Sequence, residues 1–161
     1  MTKCLKCNKK EYCSKFCKEH FNSYFVRKFK AHLRKNKLLK KNEVLSVHGE
    51  NKELVKELLL DLGRKVSVKF SNKGRRIESF ALNTRAVKEL SNFMTNKGKE
   101  LQISFLECFT QEEINKYTCK IVKPKFTKFE EKLNNLMKES ITRRPNIYYC
   151  TYNMMKEFRK L

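Results

Sequence analysis

The period of the hydrophobic positions changes repeatedly along the chain, and each change predicts an element. From His20 onward Phe21, Tyr24, Phe25, Phe29 and Leu33 recur every three or four residues, which predicts an amphipathic helix. After Asn42 the period shortens, and residues 44–47 form a brief apolar strand ending in His48-Gly49. Helical spacing returns with Leu54, Val55, Leu58, Leu59 and Leu62, and Gly63 supplies a C-terminal stop. Val66, Val68 and Phe70 alternate as a second strand, followed by an Asn72-Lys73-Gly74 turn. Asn83 is placed to cap a helix carrying Ala86, Val87, Leu90 and Phe93, closed by Gly98. Residues 101–106 read as a third strand. A short helix over 111–117 then leads to another short strand over 118–122. Beyond Pro124 a helix over 126–141 is expected to bury Phe129, Leu133, Leu136 and Met137. The tail 145–161, with Tyr148, Tyr149, Tyr152 and Phe158, reads as a last helix. Alternating strands and helices predict an α/β fold with crossover connections and a mostly parallel sheet. The chain has no internal repeat.

Composition then narrows the function. The 161 residues carry 38 Lys and Arg against 17 Asp and Glu, a net charge of +21. Such an excess makes the folded chain repel itself unless a polyanion cancels it. Nucleic acid is the expected partner, and the 12 Phe and 6 Tyr suit RNA better than duplex DNA. An acidic membrane surface fits less well, because the basic residues spread along the chain and do not gather in one anchor. No apolar run reaches the roughly 18–20 residues of a membrane span, and the Cys/Lys-rich N-terminus has no signal-peptide core. A cytoplasmic protein is expected.

Cysteine spacing adds chemistry. Four of the seven cysteines, Cys4, Cys7, Cys13 and Cys17, crowd the first 17 residues, and His20 follows. Cys4-x2-Cys7 lets two thiolates grip one tetrahedral ion, and Cys17-x2-His20 supplies the second pair after a nine-residue loop. So small a loop has no core of its own, so a metal must close it. Cys4, Cys7, Cys17 and His20 are the expected ligands of a structural zinc, with Cys4/Cys7/Cys13/Cys17 as the rival set. Zinc is favoured over iron–sulfur because one ligand is a histidine. Lys3, Lys6, Lys9, Lys10, Lys15 and Lys18 surround the cluster and favour thiolates. Cys108, Cys119 and Cys150 lack paired spacing and read as buried or incidental thiols.

The helix that follows has a basic side. Arg27, Lys30, Arg34 and Lys37 repeat opposite the aromatic face, flanked by Lys28, Lys35, Lys40 and Lys41. No acid interrupts the run from Arg27 to Lys41, whereas ordinary solvated faces intersperse both signs. Arg27, Lys28, Lys30, Arg34, Lys35 and Lys37 are therefore the expected RNA-phosphate contacts.

Taken together, Cys4-x2-Cys7, Cys17-x2-His20-Phe21, Tyr24-Phe25, Lys28-Phe29-Lys30-Ala31-His32-Leu33 and the strand running into a small loop resemble the tRNA 2-thiolation proteins. The nearest likeness is to the non-catalytic subunit family of the cytosolic and archaeal thiouridylase complex, good over about residues 4–60 and traceable to about 122. The resemblance implies four regions: a zinc knuckle (1–22), a basic helix (20–41), a truncated, degenerate PP-loop α/β domain (42–122) and a C-terminal helical extension (123–161). In catalytic relatives the first strand enters a Ser-Gly-Gly-x-Asp-Ser loop that cradles ATP pyrophosphate on backbone N–H groups. Here the stretch is His48-Gly49-Glu50-Asn51-Lys52-Glu53. Glu50 puts a Cβ and a negative charge where phosphate would sit, and Glu53 adds a second anion at the same helix terminus. The resemblance thus implies a non-enzymatic subunit that binds tRNA and docks a catalytic partner. That partner would carry ATP and an iron–sulfur cluster and would thiolate the wobble uridine. The alternatives are a stand-alone zinc-containing RNA-binding protein associated with ribosomes, and, less well supported, a sulfur-transfer enzyme using the scattered cysteines.

Overall fold

The computed structural model describes residues 2–62, 67–95, 102–141 and 143–158. Gly63, Val66, Gly98, Leu101 and Leu161, invoked above as stops, strand starts and the chain end, lie outside the described residues. The described part is an α/β structure of six helices and a three-stranded parallel sheet, consistent with a PP-loop-like fold.

Helix α1 (Lys18–Lys35) forms where the fourfold spacing of Phe21, Phe25, Phe29 and Leu33 puts one continuous apolar strip on one side, and all four are buried. The chain leaves it through Lys37, whose left-handed φ of 49° turns Leu38 back so that its N–H reaches the Leu33 carbonyl at 3.0 Å. Strand β1 (Val44–His48) is the middle of the sheet, and Leu45 and Val47 are buried. Helix α2 (Lys52–Leu60) follows and buries Leu54, Val55, Leu58 and Leu59.

Strand β2 is only Lys69–Phe70, shorter than the alternation predicts, and pairs parallel with β1 at Val44↔Lys69 and Leu45↔Phe70. Strand β3 (Arg75–Glu78) lies on the other side of β1, from Leu45↔Arg75 to His48↔Glu78. Its sequence, Arg-Arg-Ile-Glu, carries no strand-like hydrophobic pattern, and the third strand was expected at 101–106 instead. There the described residues contribute only a parallel bridge, Ser104 to Glu78. Phe105, Leu106 and Phe109 drive that segment into the core as a turn, which strand alternation would not allow. The expected strand at 118–122 is likewise corrected. Thr118 ends helix α4 (Gln111–Thr118), Cys119 takes a left-handed cap conformation, and Ile121 is 84% exposed.

Helix α3 (Leu82–Met94) is N-capped by Ala81, two residues earlier than expected. Asn83 instead turns its Oδ1 to the Gln111 N–H. Helix α5 (Lys128–Ser140) begins two residues later than the periodicity suggests, because Thr127 and Glu130 form a reciprocal capping box. It buries Leu133 and Met137, whereas Phe129 and Leu136 are exposed. Helix α6 (Ile147–Phe158) buries Tyr148, whose hydroxyl donates to Asn134 Oδ1 at 2.9 Å, while Tyr149 and Phe158 are exposed.

One large core unites α1, β1, α2, Ile77 of β3 and the 105–114 segment. At its centre the Phe25 ring stacks between Phe109 (3.9 Å) and Tyr117 (4.1 Å). A smaller core joins α3, α5 and α6 through Ala86, Val87, Leu133, Met137 and Tyr148. Among the described residues no helix is long and apolar enough to cross a membrane.

Candidate metal centre and basic helix face

The knuckle is held by short backbone links before any metal is considered. Lys3 and Lys10 form an antiparallel bridge, and Cys13 and Phe16 form another. The Cys4 N–H donates to the Lys9 carbonyl at 3.0 Å and the Leu5 N–H to the Lys15 carbonyl at 2.9 Å. Ser14 and Lys15 adopt left-handed φ values of 50° and 66°, which closes the turn between the two ligand pairs. Cys17 is the N-cap of α1, so His20 sits in its first turn and faces back toward the thiols. Tyr12 packs on Phe21, Phe16 on Tyr24, and the Tyr12 hydroxyl donates to the Lys116 carbonyl at 2.9 Å, docking the knuckle on α1 and α4.

This scaffold brings Cys4, Cys7, Cys17 and His20 together, with their ligand atoms all within 4.8 Å of one another. His20 Nδ1 lies 3.4 Å from both Cys4 Sγ and Cys17 Sγ, and Cys7 Sγ is 3.7 Å from Cys17 Sγ. A tetrahedral zinc with bonds of about 2.3 Å to sulfur and 2.0 Å to nitrogen has edges of roughly 3.5–3.8 Å. The four donors therefore fit a tetrahedral ion, and they form a Cys3His metal-binding site. Cys13 is not among them: its sulfur lies 3.7 Å from Ser14 Oγ, the residue packs against the core, and burial pushes its thiol up.

The electrostatics suit a dication. Burial raises the Cys4 thiol, but N–H groups of Cys17, Lys6 and Cys7 together with His20 outweigh it and bring it down to about 6. The Lys9 N–H lowers the Cys7 thiol, yet burial and the adjacent Cys17 and Cys4 sulfurs leave it raised. Crowded sulfurs that cannot all ionise alone can do so around a cation.

The basic helix divides in two. Arg27, Arg34, Lys35 and Lys37 are exposed, and Lys30 is half-buried with its ammonium 3.7 Å from Asp61. Lys28 faces inward instead. Its Nζ lies 3.5 Å from Glu113 and sits over the Tyr24 and Phe109 rings at 5.4 and 4.8 Å. Position 28 falls at the edge of the aromatic strip, which a count of basic residues does not register. Of the scattered cysteines, Cys108 is half-buried with its thiol pushed up to about 12 by burial, whereas Cys119 and Cys150 are exposed.

The loop between β1 and α2 is closed by internal bonds. Gly49 has φ +100°, and a Cβ there would come within 2.7 Å of Ser79 Oγ. That hydroxyl accepts the Asn51 N–H at 3.0 Å, and the buried Asn51 amide bonds the Ser79 carbonyl and Gln111. Glu50 accepts the Lys125 N–H at 3.0 Å. Ser79, Gln111 and Lys125 lie 28, 60 and 75 residues from their partners, so no local pattern reveals these roles.

The chain matches no protein-family model and no curated protein. Among solved structures it is similar to the U34-tRNA thiolase NcsA from Methanococcus maripaludis, determined with its 4Fe-4S cluster. The TM-score is 0.71 at 14% identity, over 98% of this chain and 87% of that one. The likeness extends past residue 122 through the C-terminal helices, further than the sequence resemblance reaches, and at this identity it is a likeness of fold.

Proposed function

We propose that this protein is a non-catalytic subunit in tRNA 2-thiolation, binding tRNA and docking a catalytic partner that thiolates the wobble uridine. The observation that carries this reading is a thiolase-like fold whose β1–α2 loop is unsuited to ATP. The Asn51 N–H, a donor that such a loop would offer to pyrophosphate, is engaged by Ser79, and Glu50 and Glu53 bring negative charge to the same turn. The Cys3His site would hold zinc, with Cys4, Cys7 and Cys17 as thiolate ligands and His20 as the nitrogen ligand. Such a zinc is structural: it crosslinks a segment that has little core of its own. Arg27, Lys30, Arg34, Lys35 and Lys37 would meet RNA phosphates, and Lys28 would support the helix from beneath. Iron–sulfur and ATP chemistry would belong to the partner.

Co-expression with a catalytic thiolase from the same genome tests the proposal. A stoichiometric complex that binds tRNA more tightly than the thiolase alone is expected. Sedimentation with ribosomes and no association with the thiolase would instead support the stand-alone RNA-binding reading.

A further inference from the structure

Helices α3 and α6 close the smaller core between them, yet their C-terminal ends leave large apolar side chains outside it. Phe93 is 59% and Phe158 49% exposed, and their rings stack at 5.6 Å with an interplanar angle of 27°. Met94 follows Phe93 at the end of α3 and is exposed. On α6, Cys150, Met154 and Phe158 recur every four residues and are all exposed, so they form one stripe about 12 Å long. Single exposed apolar residues are ordinary, but a stacked aromatic pair with methionines beside it is a patch. Aromatic residues and methionine are also the types that interface centres favour. Because Phe93 and Phe158 already hold each other, little side-chain freedom remains to be lost when something covers them. Along the chain next to these helix ends the sequence is basic, with Lys97, Lys99, Lys156, Arg159 and Lys160 against Glu100 and Glu157.

We propose that the patch formed by Phe93, Met94, Met154 and Phe158 receives an amphipathic helix with acidic flanks, supplied by the catalytic partner. The apolar face of that helix covers the stacked rings and the methionines, as helix-in-groove recognition requires. Its flanking Glu and Asp residues answer the basic charge of this chain. Charge selects this occupant over a second copy. Two chains of +21 would meet over a patch of a few hundred Å², well under the roughly 800 Å² per side that stable interfaces bury. RNA phosphates would meet the lysines but leave the methionines and the phenylalanine pair in water. The inference rests on the docking part of the proposed function and is independent of its RNA-binding part.

The first measurement is binding of the full chain to the thiolase of the same genome. Phe93→Ser with Phe158→Ser should weaken that complex about tenfold or more, while circular dichroism and tRNA binding by the chain alone stay native. Lys156→Glu should weaken it about threefold, and less so at high salt. Full thiolase binding by the folded double variant would overturn the inference and leave the docking reading standing. Self-association of the isolated chain that the double variant abolishes would assign the patch to a second copy and overturn the acidic helix. Failure of the wild-type chain to bind the thiolase would overturn the docking reading, and a second measurement then decides the patch by itself. The nitrogen-15 labelled chain is titrated with a helix-forming peptide that has leucines at i, i+3, i+4 and i+7 and glutamates on both flanks. A copy with lysine in place of every glutamate is titrated beside it. Saturable shifts at Phe93, Met94, Met154 and Phe158 with the glutamate peptide alone would uphold the patch. Equal binding of both peptides, or shifts from neither, would overturn it.

Discussion

At the residue scale, geometry separates ligands from bystanders more sharply than spacing does. Cys13 lies between the two ligand pairs in sequence, yet it is half-buried against the edge of the core with its sulfur beside Ser14 Oγ, outside the Cys3His cluster. Cys7→Ser should therefore release the metal, and Cys13→Ser should keep it, as elemental analysis of freshly purified protein would show. Retention by His20→Ala together with loss by Cys13→Ser would restore the four-cysteine set. Gly49 gives a second residue-level expectation. Alanine there must adopt a left-handed φ of +100° and press on Ser79 Oγ at 2.7 Å. A loss of about 1–3 kcal/mol in urea unfolding follows, because the same serine holds Asn51.

A third residue, His32, sets a pH dependence. Burial holds it below its usual 6.5, against the opposing pull of Glu107 at 3.8 Å. The unfolded chain then takes up this proton at a higher pH than the folded one. Stability from His32 is complete above about pH 6.5 and falls as the pH drops below it. Carboxylates such as Glu43, held low by Arg75 and the Lys40 N–H despite burial, matter only below 4.5. Unfolding at roughly pH 7.5 and 5.5 should show a slope that His32→Gln flattens, with the metal site contributing equally to both proteins.

At the element scale, α1 has two chemically distinct faces, an apolar inner one and a basic outer one. Its inner strip anchors the main core: Phe25, stacked between Phe109 and Tyr117, should cost about 3–5 kcal/mol when replaced by alanine. Its outer face is where phosphate contacts would form. Changing Arg27, Lys30, Arg34 and Lys37 to Glu should weaken binding to different tRNAs alike and lower the salt slope by about 0.7–0.9 per lost contact. Circular dichroism should stay native, because Phe21, Phe25, Phe29 and Leu33 are untouched. Lys28→Glu should differ in kind. It sets a carboxylate against Glu113 and lowers thermal stability before it affects RNA. Full tRNA binding by a folded quadruple variant would remove α1 from the interface.

At the scale of the whole molecule, the +21 charge and the closed loop point the same way. Under the proposed function, the charge would attract RNA while the internally bonded β1–α2 loop would leave adenylation to the partner. Calorimetry of the isolated chain should register no saturable ATP binding in the micromolar range.

What was legible in the sequence was whatever local spacing dictates. The aromatic strip of α1, the apolar β1, the leucine face of α2 and the Cys/His framework each follow from neighbours within a turn or a tight loop. Tertiary structure decided the rest, because the deciding partners are remote. Arg75–Glu78 is a strand only because β1 offers an edge to its backbone, and the 105–109 segment is a turn because three apolar side chains enter one core. Lys28 is drawn inward by a glutamate 85 positions away. The loop between β1 and α2 is closed by Ser79, Gln111 and Lys125, whose hydrogen bonds exist only once distant segments have packed together.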